Sequence, residues 1–146
     1  MAFLKSYENL DIQSILAVRT PTCTHSYISA SGESALYTND LYAEFYKPIH
    51  KVLKSCLFSV NRIIADDRTN QVALWTTIHI NFVVDSVGPY KGDYVFFIEF
   101  DDQQQHAKRI LEFVDNLGAR KYMKLVSQAN KLLVDAGVDK EGTPHL

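Results

Sequence analysis

The stretch QVALWTTIHINFVVDSVGPYKGDYVFFIEFD, Gln71 to Asp101, decides the fold. It is rich in β-branched and aromatic residues, and its main break, GPYKG, carries turn residues. Two strands joined by so short a link must be antiparallel, because a parallel return needs a crossover of a dozen or more residues. Working outward, LFSVNRIIAD (57–66) precedes it across the turn DDRTN, and HAKRILEFVD (106–115) follows across DQQQ. The four segments predict an antiparallel meander.

The residues before the meander read as helical. Residues 2–9 fit one or two turns, and Asp11 is an N-cap for a short helix through Ile12, Ile15 and Leu16. Pro21 suits the first position of a further helical turn, TPTCTH, with Thr20 as its cap. SASGE (29–33) reads as a loop. Thr38 or Asn39 caps a helix whose Leu41, Phe45, Ile49, Val52, Leu53 and Cys56 share a stripe, with Pro48 expected to kink or divide it. After Gly118, residues Tyr122, Val126, Ala129, Leu133 and Ala136 step at helical intervals to a stop at Gly137. One domain over residues 1–137 is expected, with 138–146 a disordered tail in which His145 has no role.

Composition narrows the function. A formal net charge of −2 argues against a general nucleic-acid binder. No apolar run approaches the ~20 residues that span a bilayer, and MAFLKSYENL lacks the features of a signal peptide, so a cytoplasmic protein is expected. Cys23 and Cys56 match no metal spacing and are too few for a disulfide framework. Asp66 and Asp67 read as a solvated turn. No phosphate loop, HExxH or GxSxG occurs, so neither a metal nor an organic cofactor is expected. Eight Phe, eight Tyr and one Trp fall largely where a core or an apolar ligand pocket would need them.

Centring each hairpin on its turn pairs Trp75 with Arg62, His79 with Phe58 and Phe100, Asn81 with Ile98, and Phe113 with Tyr94. One face then collects Phe58, Trp75, Thr77, His79, Asn81, Tyr94, Phe96, Phe113 and Asp115. The other carries Leu74, Ile78, Ile80, Phe82, Val95, Phe97, Ile110 and Val114. Both faces are apolar, so helices should cover one and a second subunit the other, giving a homodimer through Leu74, Ile78, Ile80 and Phe97. On the first face His79, Asn81 and Asp115 are polar among aromatics. A buried carboxylate costs several kcal/mol unless paired or protonated. Asp115 is therefore a candidate acid–base residue, against the simpler reading of a cap on the following helix. His79 has a simpler reading too, a core histidine bonded to a neighbouring Thr or Tyr. Glu112 should point away from Asp115, as a structural or interface carboxylate.

At this point a family comes into view. Leading helices, a curved meander, a last strand ending EFVD and a trailing helix resemble the NTF2-like superfamily, nearest its SnoaL-like cyclases. RTPTCTH (19–25), TNDLYAEFYKPI (38–49), GPYKGDY (88–94) and LEFVD (111–115) are similar to a fungal subgroup of polyketide and meroterpenoid isomerases and cyclases. The resemblance covers roughly residues 3–117, with helix one expected to be short of its first turns. It implies an α+β fold, a cone-shaped barrel around a pocket, a homodimer and cofactor-free acid–base chemistry. It also implies Asp115 as acid or base, His25 near the pocket mouth, and Arg19 of the same motif as a substrate contact.

The expected protein is thus an isomerase or cyclase acting on an apolar polycyclic substrate. Asp115, His25 and His79 are the catalytic candidates, and Arg19, Tyr27, Trp75, Asn81, Tyr94 and Phe113 the substrate-binding ones. Two alternatives stand. A scytalone-type dehydratase would gather Tyr27, Tyr46 and Tyr90 at the pocket, and a non-catalytic ligand-binding or docking module would have a shallow or filled one.

Overall fold

A computed structural model describes residues 1–34 and 36–137 of the chain; the expected tail lies outside them. The order of elements is α1 (Ala2–Glu8), α2 (Ile12–Ala17), β1 (Arg19–Ser29), β2 (Gly32–Glu33), α3 (Asn39–His50), β3 (Leu53–Asp66), β4 (Gln71–Phe82), β5 (Tyr90–Phe100), β6 (Ala107–Phe113) and α4 (Asn116–Asp135). The strands form one curved six-stranded sheet in the order β2-β1-β6-β5-β4-β3. This is the α+β architecture expected, with the meander β3–β6 as its larger part.

The local signals at helix ends hold where their chemistry is specific. The Asp11 carboxylate accepts from the Gln13 amide at 3.0 Å, and the Thr38 hydroxyl accepts from the Leu41 amide at 3.3 Å. Gly137 sits at φ +79° past the end of α4, a conformation that favours glycine. Pro48 lies in the last turn of α3 and does not divide it, and the helix ends two residues later. The buried stripe of α3 is Tyr42, Tyr46 and Ile49, while Leu41 is exposed and Val52, Leu53 and Cys56 lie beyond the helix.

The largest departure is RTPTCTH. It is strand, not a helical turn: β1 runs parallel to β6, pairing His25 with Ile110 and Tyr27 with Glu112. Between Arg19 and Thr24 the register shifts, five steps on β1 against two on β6, and Pro21 lies in that bulge. The strand is decided by a partner far along the chain, which local propensity cannot register.

Pairing within the meander also differs from the centred hairpins, and each difference has a cause. Strand β4 stops at Phe82 and GPYKG already belongs partly to β5, so His79 faces Lys91 and Ile80 faces Tyr90. Bulges between Val60 and Arg62 and between Glu99 and Phe100 each move the register by one. His79 consequently faces Leu57, and Phe113 faces Val95. A one-residue slip turns a strand's side chains to the opposite face relative to its neighbour, so Tyr94 and Phe96 of β5, not Val95 and Phe97, stand beside Leu74, Ile78, Ile80 and Ile110. The helices cover this face, which carries Leu74, Ile78, Ile80, Phe82, Tyr94, Phe96, Ile98, Ile110 and Glu112, all buried. The outer face carries Trp75, His79, Asn81, Phe97 and Phe113. Leu74, Ile78 and Ile80 belong to the core and are unavailable to a partner subunit; of the expected dimer face only Phe97 is exposed. No described helix is long and apolar enough to cross a membrane.

Candidate active site

The four helices close over the inner face and leave a cavity of about 270 Å³. Its wall is aromatic: Tyr7, Tyr27, Tyr37, Tyr42, Tyr46, Tyr94 and Tyr122 line it, so seven of the eight tyrosines meet there. Phe45, Phe58 and Phe96 fill between them. Glu112 is the charged residue in the lining.

Behind this wall runs a buried polar chain. The Glu112 carboxylate Oε2 lies 2.8 Å from His25 Nε2, and His25 Nδ1 lies 3.1 Å from Arg19 Nη2. The same Nη2 donates to the Tyr7 hydroxyl at 2.9 Å, and Tyr7 shares a proton with the Tyr42 hydroxyl at 2.8 Å. His25 is fully buried between the rings of Tyr27 and Tyr42, with centroids at 5.1 and 4.7 Å. The Arg19 guanidinium stacks 4.2 Å above the Tyr42 ring, a contact worth ~2 kcal/mol when desolvated. Six extended residues would separate Arg19 from His25 by roughly 20 Å. The β1 bulge folds that length back and lets the two side chains meet.

The electrostatics follow from burial. Desolvation lowers the affinity of His25 for a proton, Glu112 opposes that, and Arg19 reinforces it. Burial pushes the Tyr7 hydroxyl up to about 12, and those of Tyr27 and Tyr42 well above the ordinary value. These tyrosines are neutral donors at physiological pH. A carboxylate beside neutral donors in an apolar cavity can take a proton from carbon next to a carbonyl, and the hydroxyls can hold the oxygen where charge develops.

Of the sequence candidates, Tyr27 and Tyr94 line this cavity, and Arg19 and His25 stand directly behind it. The others are elsewhere. Asp115 is exposed and caps α4, accepting from the Gly118 amide at 3.0 Å. His79 meets Ser59 on the outer face at 3.3 Å, the Trp75 indole donates to Asp93, and the Asn81 amide donates to Ser55. Phe113 is exposed on the same face. Glu112, read from the sequence as a structural or interface carboxylate, and the Tyr7–Tyr42 pair are in the site but not among the sequence candidates. The alternation Ile110-Glu112-Val114 was the available signal, and it could not be used without knowing that β1 lies beside β6.

No family model matches the chain. Among solved structures, PrhC from Penicillium brasilianum superposes with a TM-score of 0.75 at 19% identity, covering 91% of this chain and 89% of that one. An NTF2-like protein of unknown function from Burkholderia pseudomallei superposes with a TM-score of 0.62 at 12% identity over 86% of this chain and 92% of its own. The fold is NTF2-like. The BvnE pinacolase from Penicillium brevicompactum also superposes, with a TM-score of 0.74 at 18% identity over 87% of this chain and 90% of that one. In sequence, the chain is 26% identical to austinoid biosynthesis cluster protein J of Aspergillus calidoustus over 121 residues, which are 81% of this chain and 72% of the relative.

Proposed function

We propose that this NTF2-like protein is a cofactor-independent isomerase or cyclase of fungal specialised metabolism, acting on an apolar polyketide- or terpenoid-derived ketone. The observation that carries this reading is Glu112, a carboxylate in the wall of an aromatic cavity and bonded to a buried histidine. Glu112 serves as the base that enolises the substrate, and the Tyr7–Tyr42 hydroxyls hold the enolate oxygen. His25 and Arg19 orient these groups from behind the wall. Glu112, three residues earlier in the same motif, takes the role expected of Asp115.

The similarity to a protein named for austinoid biosynthesis and to a pinacolase supports a rearrangement in specialised metabolism. A dehydratase is the second reading, favoured by Tyr27 and Tyr46 in the lining and by Tyr90, whose hydroxyl reaches the cavity wall through Tyr94 at 2.9 Å. A cavity of about 270 Å³ weighs against a non-catalytic module with a filled pocket. A homodimer completes the proposal, through the outer face bearing Trp75, Phe97 and Phe113, each more than two-fifths exposed.

The test incubates the purified protein with a panel of polycyclic ketones and follows mass-neutral and dehydrated products by chromatography and mass spectrometry. Turnover abolished by Glu112→Gln supports the reading. Full turnover in that variant sinks it, and loss of 18 mass units would select the dehydratase.

A further inference from the structure

We infer that Arg19 is a positioning residue that fixes His25 as the neutral Nε2–H tautomer, so that Glu112 receives an uncharged donor. The inference rests on hydrogen-bond capacity. A guanidinium has donors and no acceptor, and it is not deprotonated in proteins. Arg19 Nη2, at 3.1 Å, must therefore donate to His25 Nδ1, which leaves that nitrogen without a proton. The ring proton then sits on Nε2 and is donated to Glu112 Oε2 at 2.8 Å.

The groups around the imidazole agree with this assignment. Glu112 faces it from β6, Arg19 and Tyr27 from β1, and Tyr42 from α3, with Tyr7 of α1 reached through Arg19. Only Glu112 among them would favour a second proton on the ring, and Arg19 both repels that proton and occupies its place. Arg19 is itself held, being 4% exposed, stacked on Tyr42 and bonded to Tyr7.

Without Arg19 the balance reverses. Glu112 alone would face the ring, Nδ1 would be open, and the pair would take up a proton to become imidazolium and carboxylate. The proton-poor pair that acts as a base would then exist only at higher pH. For this consequence the inference relies on Glu112 being the base; the tautomer does not.

The experiment is long-range proton–nitrogen NMR on histidine-labelled full-length protein, with no substrate required. In the wild type, His25 should show a protonated Nε2 and an unprotonated Nδ1 at neutral pH. On acidification it should charge at lower pH than an ordinary histidine, which titrates near 6.5. Arg19→Met should raise the titration of His25, and Arg19→Lys, another donor without an acceptor, should preserve the wild-type tautomer. An Nδ1–H ring or an imidazolium in the wild type at pH 7 overturns the inference, whether or not any variant folds. So does an unchanged His25 titration in Arg19→Met. Failure of Glu112→Gln to reduce turnover would instead remove the base and leave the tautomer standing.

Discussion

Glu112 and His25, 87 residues apart in sequence, meet at 2.8 Å at the wall of an aromatic cavity. The contact joins β6, the last strand of the meander, to β1. It gives a buried carboxylate the partner without which its burial would be costly, and holds it in the orientation the proposed role needs.

Glu112→Gln keeps the side chain's shape and can still accept from His25 Nε2–H. Turnover should fall ~10²–10⁴-fold, the usual contribution of a general base, with ligand binding and melting temperature little changed. Steady-state kinetics beside calorimetric binding checks this. Glu112→Ala should additionally lose about 1–3 kcal/mol of stability, because the His25 donor is left buried without a partner.

Asp115→Ala should leave turnover near the wild-type level and cost ~0.5–2 kcal/mol of stability through the lost α4 cap. Urea denaturation measures it. A drop in turnover of a hundredfold with unchanged stability would return Asp115 to the chemistry.

Stability should fall on acidification through His25. Its folded state holds protons less tightly than the unfolded chain, for which the ordinary value is 6.5. Above that value the contribution is fully present. Below it the unfolded state binds the extra proton, and stability declines until the folded-state value is reached, at no more than ~1.4 kcal/mol per pH unit. His25→Gln should flatten this part of the profile in paired urea titrations, and a wild-type-like slope in the variant would assign the effect to other groups.

The outer face should carry a homodimer. Light scattering at micromolar concentration should give twice 16.6 kDa. Phe97→Asp should shift the population to monomer, because an interface of this class buries on the order of 2,000 Å² and cannot hold an unpaired charge at its centre. A wild-type mass of 16.6 kDa under those conditions would exclude the dimer.

By itself, the sequence determined the parts that depend on neighbours along the chain. The meander from β3 to β6 was legible in its β-branched and aromatic runs, and the Asp11 and Thr38 caps and the Gly137 stop were legible in single residues. The simpler reading of Asp115, a helix cap, was also available locally. Tertiary structure alone decided which face each strand turns inward and what lies beside β6. Bulges and a β4–β5 connection longer than GPYKG change odd for even on either side of β5, which brings Tyr94 and Phe96 beside Leu74, Ile78 and Ile80; the helices close over that face, leaving His79, Trp75 and Asn81 outward and Glu112 inward. TPTCTH is strand because its end pairs with β6 on one side and with Tyr37 on the other, both distant in sequence or outside its local turn. A bulge or a non-local pairing is stabilised by contacts across the sheet, whereas a cap is stabilised within a few residues, and only the latter is written in local order.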